Sequence, residues 1–315
     1  MHDNSYFVQT AIRCSLVSEL VTPIHRHKGI WRAVTTKGRT VPGSILTVPV
    51  RRYKNTAPAP HLSDEQDLLA VEEPLQISVG ETDLALTMRT PGNDAELAAG
   101  FLFTEGLVRE TGDIVDIQCD RNRALVTLDK KIEIDLNGAT RNFYMTSSCG
   151  VCGKTSIEAL ENAGCMFLPQ KFPIVPEAMI RSLPAKLRQS QAVFDRTGGL
   201  HAAGLFSARG ELILLREDVG RHNAVDKLIG RALLDGCVPL NNYFLMVSGR
   251  TSFELVQKAV MAGIPLLAAV GAPSSLAVKT AMRFGMTLIG FLRDDRFNVY
   301  SDFGRVTSNL PVHTI

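Results

Sequence analysis

Two cysteines three positions apart are the residues of this chain whose types and spacing most directly suggest chemistry. Cys149 and Cys152 are each followed by a glycine, and Lys154 comes directly afterwards. The residues before the pair read as extended and Thr155–Ala163 as helical, which places the sulfurs beside a helix N-terminus. Unpaired backbone N–H groups and the positive end of the helix dipole stabilise a thiolate there. The segment therefore predicts reactive sulfur.

Other uses of a Cys-x-x-Cys pair match this sequence less well. A structural zinc site needs four ligands, and Cys165 has no partner pair, so zinc remains a weaker alternative. A zinc deaminase would also need an upstream His-x-Glu, which is absent. Ser148 replaces both the aromatic residue usual before a thioredoxin-type pair and the first glycine of a phosphate loop. The remaining hypothesis is a thiolate that accepts sulfur as a persulfide, whose terminal sulfur is a good nucleophile.

Composition limits the class of protein further. The 315 residues are 45% hydrophobic and 21% charged, with a net charge of +2, as in a globular protein of one large or two moderate domains. Six cysteines without a secretory signal favour a reducing, cytoplasmic compartment. The uncharged stretch 259–278 is long enough to span a membrane, but Pro265 and Pro273 interrupt it, so we interpret it as buried α/β core. Outside residues 1–60 no basic face for nucleic acid is expected.

Changes of pattern divide the chain into four predicted parts. Residues 1–65 form a basic extension and linker that we expect to be poorly ordered. Residues 66–141 form a β-rich subdomain, residues 142–305 an α/β core with the Cys-x-x-Cys loop, and residues 306–315 a tail.

The β-rich subdomain has two clear local signals. A strand over Asp83–Thr90 is followed by a helix, Leu97–Glu105, which Asn93 should cap through its side chain. Alternating apolar and polar residues over 123–129 and 131–136 predict two paired strands.

Helices and strands alternate in the predicted core. The helices expected there are Thr155–Ala163, Pro176–Gln191, His222–Asp235, Thr251–Ala262 and Ser275–Phe284. The strands expected are 202–207, 211–216, 243–247, 265–270, 287–292 and 297–300. Continuously apolar strands between helices indicate a sheet covered on both faces. The fold class predicted is therefore a three-layer α/β/α sandwich with a smaller β-rich N-terminal subdomain.

Four polar clusters fall at the ends of these strands, at residues 195–201, 216–223, 248–251 and 291–296. Asn223 and Thr251 have the spacing of helix N-caps, so part of each cluster has a structural explanation. Arginines at such positions suit phosphate contacts. If the clusters converge on one edge of the sheet, they form a pocket.

The order of these motifs resembles the FdhD family, the formate dehydrogenase accessory sulfurtransferases. The resemblance runs from about Val71 to Ser301 and does not cover residues 1–65. The blocks that carry it are Glu72–Leu75, Thr87–Gly92, Gly100–Gly106, Ser147–Gly153, Thr197–Ala202, Glu217–Lys227, Ser248–Arg250, Ala272–Ala277 and Arg296–Tyr300.

The resemblance implies a specific activity. Members of that family take sulfur from a cysteine desulfurase as a persulfide on the loop that corresponds to Cys149 and Cys152. They pass it to the molybdenum (or tungsten) bis-molybdopterin guanine dinucleotide cofactor, a bound substrate that is then inserted into the catalytic subunit of formate dehydrogenase. The family's cofactor-binding segment corresponds to Phe291, Leu292, Arg293, Asp294, Asp295 and Arg296.

The resemblance also implies a cytidine-deaminase-like sandwich, a homodimer and no permanently bound metal. Two other functions remain open. A cofactor-binding assembly chaperone would carry the cofactor without transferring sulfur. A thiol-disulfide oxidoreductase, ranked third, would use the cysteine pair on general dithiol substrates.

Overall fold

The computed structural model describes residues 42–55, 61–132, 160, 167–169 and 173–308. Cys149, Cys152 and most of the predicted helix over Thr155–Ala163 lie outside these residues. What the sequence predicts for them, and the three boundaries between the four predicted parts, stay predictions.

The described part begins with a two-stranded antiparallel ribbon of β1 (Ile45–Lys54) and β2 (His61–Ala70). Residues 45–54 and 61–65 therefore differ from the poor order expected of them. Cross-strand ion pairs accompany the register, with Arg51 Nε 3.0 Å from Asp64 Oδ1 and Arg52 Nη1 2.7 Å from Glu65 Oε2. Opposite charges on facing residues support this register of the two strands. The excess of positive charge in residues 1–60 did not indicate it.

A four-stranded sheet follows, with the strand order β4-β3-β6-β5. Its strands are β3 (Glu73–Val79), β4 (Thr82–Arg89), β5 (Ile114–Asp120) and β6 (Arg123–Leu128). Alternate residues such as Leu75, Ile77 and Val126 are buried in one cluster with helix α1 (Asp94–Thr104). β6 pairs with β3 on one side and β5 on the other. Both sides of β6 are thus paired, whereas most of the partner strand predicted over 131–136 lies outside the described residues.

Six strands form the main sheet, in the order β13-β12-β11-β10-β8-β9. They are β8 (His201–Ser207), β9 (Leu212–Asp218), β10 (Tyr243–Val247), β11 (Leu266–Ala269), β12 (Thr287–Gly290) and β13 (Asn298–Ser301). β10, β11 and β12 are parallel, whereas β8 and β13 run antiparallel to their neighbours. Beside this sheet, β7 (Val175–Pro176) pairs with β14 (Val306–Thr307).

Helices cover both faces of the main sheet. They are α2 (Glu177–Arg188), α3 (Ala192–Thr197), α4 (Arg221–Leu234), α5 (Phe253–Met261) and α6 (Ser275–Phe284). Leu245 and Val247 are buried in the cluster that contains α1, α4, α5 and α6. Phe244 and Met246 point the other way, into the cluster that contains α2. The mixed α/β layering predicted from apolar strands is confirmed, because these strands are buried from both sides.

Most predicted elements of the core agree with the structure within a few residues. The short helix α3 was not predicted, since its six residues are too few to show a helical period. Asn93 precedes α1, but it has φ 58° and makes no side-chain cap hydrogen bond, so the predicted cap is wrong. Its neighbour Asp94 instead binds Arg89, with Nε 2.9 Å from Oδ1. None of the helices in the described ranges combines the length and apolar character needed to cross a membrane.

Helix α1 joins the small sheet to the core by packing directly on α4. A Cβ atom on Gly230 would lie 1.8 Å from the carbonyl oxygen of Glu96, and one on Gly100 would lie 1.9 Å from that of Asp226. Only glycine permits such a close approach of two helix backbones. This contact, which we call the α1–α4 junction, fixes the small sheet beside one edge of the main sheet.

Candidate functional site

The polar clusters expected at strand ends lie along one edge of the main sheet. His201, at the start of β8, pairs with Asp218 at the end of β9. A Cβ atom on Gly249, just after β10, would lie 3.3 Å from His201 Nδ1. Gly271 N donates to Gly249 O at 3.0 Å, and Phe291 N donates to Gly271 O at 3.1 Å. All four clusters therefore lie along this edge, a point that the sequence left open.

A cavity of about 280 Å³ opens between this edge and the small sheet. Its apolar wall comes from the small sheet and α1, and consists of Ile77, Ala85, Leu86, Met88, Leu97 and Phe101. Its polar wall comes from the sheet edge and the starts of α4 and α5, and includes His201, Gly220, Arg221, His222, Asn223 and Glu254. One apolar wall and one polar wall are typical of a site for a small molecule with a flat apolar part and polar substituents.

An ion pair and hydrogen bonds hold the start of α4 against β9 of the main sheet and β4 of the small sheet. Asp218 Oδ1 accepts from Gly220 N at 2.8 Å, and its Oδ2 lies 2.6 Å from Lys227 Nζ. Asn223 Nδ2 donates to Met88 O at 2.7 Å rather than capping the helix, so its predicted capping role is wrong. Ser252, not Thr251, occupies the N-cap position of α5. These bonds tie the polar wall to the β4 strand of the apolar wall.

Both histidines of the cavity are held neutral. Burial, and then the charge of Arg221, lower the pKa of His222 to about 3. The same two causes lower the pKa of His201. His222 Nε2 lies 3.1 Å from Ser252 Oγ and 3.9 Å from Glu254 Oε2. A neutral imidazole can accept or donate a hydrogen bond at neutral pH, so the pair is equipped for polar recognition.

A buried ion cluster forms the floor of the cavity. Lys258 Nζ lies 2.9 Å from Asp226 Oδ2, 3.5 Å from Glu105 Oε1 and 2.9 Å from Thr104 Oγ1. Burial opposes the charge of Lys258, but Asp226 and Glu105 outweigh it and raise the lysine pKa. Glu105 and Lys258 were not predicted as site residues, because each forms its ion pairs with residues far away in the chain. Glu105 is the C-cap residue of α1 and Lys258 lies in α5, and a charge beside many apolar residues was the available signal.

The segment Phe291–Arg296 lies at the same sheet edge and contains two kinds of residue. Leu292 is buried, whereas Phe291 and residues 293–296 are exposed. The backbone of Phe291 has φ 51°. Arg293 Nη1 donates to the backbone oxygens of Val270, at 2.7 Å, and Leu292, at 2.8 Å. Arg296 Nη1 lies 3.4 Å from Asp295 Oδ2 in solvent. The predicted cofactor-binding segment is exposed to solvent, but one guanidinium nitrogen of Arg293 already donates to backbone oxygens.

Cys149 and Cys152 lie outside the described residues, so their geometry adds nothing to the prediction. Two described cysteines are free thiols, Cys119 and Cys237. Partial burial of its thiol and the nearby Asp94 raise the pKa of Cys119 to about 11. Across the described ranges, no group of three or more His, Cys, Asp or Glu side chains is arranged to hold a metal ion.

Known proteins match this chain over the sheet edge, the cavity and the predicted cysteine loop together. A sulfur carrier protein FdhD of Streptomyces coelicolor is 51% identical over 262 residues, which are 80% of this chain and 93% of the relative. One from Sulfolobus acidocaldarius is 45% identical over 78% of this chain and 93% of the relative. The crystal structure of a protein assigned as a formate dehydrogenase accessory protein, from Desulfotalea psychrophila, covers 83% of this chain and 100% of its own, with 28% identity and a TM-score of 0.65.

A family model for FdhD/NarQ proteins matches residues 70–307, which include the cysteine pair, the cavity and the segment Phe291–Arg296. The long alignments with relatives that are 51% and 45% identical agree with this match. The chain belongs to the FdhD/NarQ family.

Proposed function

We propose that this protein is a sulfur carrier that serves formate dehydrogenase, with Cys149 and Cys152 as its working residues. The observation that carries the proposal is the alignment of this chain with relatives named sulfur carrier protein FdhD along almost their whole length. The two cysteines with their flanking glycines lie inside the matched family region. A thiolate is the group that chemistry requires for carrying sulfur.

The loading step exchanges one S–S bond for another. The Cys149 thiolate attacks the terminal sulfur of a donor persulfide and forms a Cys149–S–S⁻ group, while the donor S–S bond breaks and its cysteine leaves as a thiolate. The lysine and the predicted helix start beside the pair favour the thiolate form of Cys149. The donor is a cysteine desulfurase in this proposal.

The delivery step releases the carried sulfur. The Cys152 thiolate attacks Cys149 Sγ, the Cys149–Cys152 disulfide forms, and the outer sulfur leaves as hydrosulfide for the acceptor. A dithiol reductant then regenerates both thiols. The acceptor is the molybdenum (or tungsten) bis-molybdopterin guanine dinucleotide cofactor, which is cargo for the catalytic subunit of formate dehydrogenase.

The surface along this edge of the main sheet supports the proposed binding of that cofactor. Phe291–Arg296 and the polar wall of the cavity form a continuous surface, since Phe291 N bonds to Gly271 and Gly271 N bonds to Gly249 beside His201. Glycine at position 271 lets the two turns pack together, because a Cβ there would lie 2.7 Å from the backbone of Arg250. A homodimer in the cytoplasm and a cytidine-deaminase-like topology complete the proposal.

Intact-mass spectrometry tests the carrier role. The full chain is incubated with a cysteine desulfurase and cysteine, and the wild type should gain about 32 Da, the mass of one sulfur atom. Cys149→Ala should show no adduct. Cys119→Ala is the matched control and should load normally, because the raised pKa of Cys119 keeps that thiol neutral and weakly nucleophilic.

The same variant separates a sulfur carrier from an assembly chaperone. If Cys149→Ala still supports formation of active formate dehydrogenase as well as the wild type does, the chain acts as a chaperone and the proposed transfer is wrong. If the variant binds cofactor but fails to activate the dehydrogenase, sulfur transfer is the function.

A further inference from the structure

Arg221 differs from the buried arginines of the described ranges in the contacts of its guanidinium. The residue is partly exposed, its buried Nε donates to no acceptor, and its side chain forms no ion pair with any described residue. Arg89 and Arg216, in contrast, are bound to carboxylates, and Arg305 donates to the carbonyl oxygen of Gly285 and the hydroxyl of Thr287. A buried N–H group without an acceptor destabilises a protein by about 1–3 kcal/mol. The unpaired N–H group of Arg221 therefore suggests that a bound ligand supplies the acceptor.

The surroundings of Arg221 define where that acceptor would sit. Arg221 is the first residue of α4 and lines the cavity with Gly220, His201 and His222. The Arg221 Cδ lies 3.7 Å from the position of a Cβ on Gly249, so the side chain packs against the turn that follows β10. The free N–H groups of the first turn of the 14-residue helix α4 point the same way as its positive dipole end.

The carboxylates around the cavity do not neutralise Arg221. Asp226 and Glu105 are bound to Lys258, and Asp218 is bound to Lys227. Glu254 lies beside the neutral His222, and Glu72 is exposed at the mouth. The positive charge of Arg221 acts on both imidazoles, whose pKa values it lowers. Arg221 thus has no ion-paired carboxylate among the described residues that line the cavity.

We propose that Arg221 and the first turn of α4 bind a phosphate group of the ligand that fills this cavity, and that Arg221 is the principal phosphate-binding arginine of the protein. The choice of phosphate rests on the proposed function, whose cargo is a dinucleotide. Arg293 and Arg296, which the family resemblance assigns to the cofactor, are less suited. The former donates to two backbone oxygens, and the latter is exposed and paired with Asp295.

Isothermal titration of the full-length protein with inorganic pyrophosphate tests this assignment. Arg221→Gln should weaken binding by about tenfold to a hundredfold, because hydrogen bonds to a charged partner are lost. Arg221→Lys should retain part of the affinity through its charge but lose the planar fork. The matched control is Arg181→Gln, an arginine of α2 on the opposite side of the sheet, which should bind like the wild type.

Thermal unfolding separates a binding role from a structural one. Without ligand, Arg221→Gln should be at least as stable as the wild type, because the substitution removes a buried unmatched N–H group. With pyrophosphate, the wild type should gain stability and the variant should not. Unchanged pyrophosphate affinity in Arg221→Gln, a larger loss in Arg293→Gln, or no binding by the wild type would each overturn the assignment.

Persulfide loading keeps this inference separate from the proposed function. The wild type should gain the sulfur adduct whether or not pyrophosphate is present, because loading is a reaction of the cysteine thiols. Loading without pyrophosphate binding would refute only the role of Arg221. Pyrophosphate binding through Arg221 without loading would refute only the sulfur carrier.

Discussion

Opposite charges join neighbouring elements in two regions of this molecule, and the two regions differ in their exposure to water. At the α1–α4 junction, Glu96 binds Arg216 from β9 with Oε2 2.5 Å from Nε, and the two side chains are 8% and 5% exposed. On the β1–β2 ribbon, Arg51 and Asp64 lie 3.0 Å apart, but their side chains are 61% and 77% exposed. The contacts have similar geometry, and burial is the main difference.

That difference sets what each pair contributes. In water, screening and side-chain entropy leave an exposed pair with about 0–1 kcal/mol. In the interior, each charge has lost its hydration, so removing one partner leaves the other uncompensated and costs far more than the pair contributes. The junction also bears the cavity floor, since Asp226 of α4 binds Lys258 and Thr104. Charge pairs at the junction position the candidate site, whereas those on the ribbon lie on a surface exposed to water.

The largest effect is expected from Glu96→Gln. Arg216 would keep its charge in a buried position with a neutral partner, and Arg231, 3.8 Å from the same carboxylate, would lose it too. We expect a loss of about 3–5 kcal/mol in the free energy of unfolding by denaturant. The double variant Glu96→Leu, Arg216→Met should recover part of this loss. Equal losses in both variants would show that desolvated charge is not the cause.

Gly230→Ala attacks the same junction through its backbone. The new Cβ would lie 1.8 Å from Glu96 O, so α1 must move away from α4. Overpacking of this kind should lower the free energy of unfolding by about 2–3 kcal/mol. Gly112→Ala is the control, because its Cβ would have no neighbour closer than 4.0 Å. If both variants unfold at the same denaturant concentration, the helices do not meet as closely as described.

The sequence was a good guide where one local pattern determined one structure. Apolar runs at 243–247 and 265–270 predicted doubly covered strands, and the Gly and Pro positions around them placed α5 and α6 within two residues. The polar clusters indicated sites at the strand ends, and residues of two of them, 195–201 and 216–223, line the cavity. Each of these predictions needed only the residues of one element and its turn.

Predictions failed where the outcome depended on residues far apart in the chain. Asn223 has the type of a helix cap, but α4 already begins at Arg221, and the Asn223 amide instead donates to Met88 O, 135 positions earlier in the chain. No role was predicted for Lys258, and its partners Asp226 and Glu105 come from two other helices or their ends. No local window contains both partners, so the buried ion cluster could not be predicted from the sequence.

His222 extends the comparison to pH. Its pKa is about 3 in the folded protein and about 6.5 when unfolded, so between these values only the unfolded chain takes up a proton. Stability is therefore present above pH 6.5 and lost as pH falls, by about 1.4 kcal/mol per pH unit. Urea unfolding at pH 8 and pH 5 should show that His222→Gln lacks about 2 kcal/mol of this loss. Identical pH dependence in wild type and variant would mean that His222 is charged in the folded protein.

The smallest effect is expected from Asp64→Asn on the ribbon. Arg51 remains hydrated after its partner is neutralised, so the free energy of unfolding should change by less than about 1 kcal/mol, and less again in high salt. The neighbouring Glu65 has a lowered pKa, first through the Ser63 hydroxyl and then through Arg52 and Lys54, so acid weakens the ribbon only as pH falls through that lowered value. Equilibrium unfolding at low and high salt, with Glu96→Gln as the buried counterpart, measures both. A loss in Asp64→Asn as large as in Glu96→Gln would place the ribbon in an interface that water does not reach.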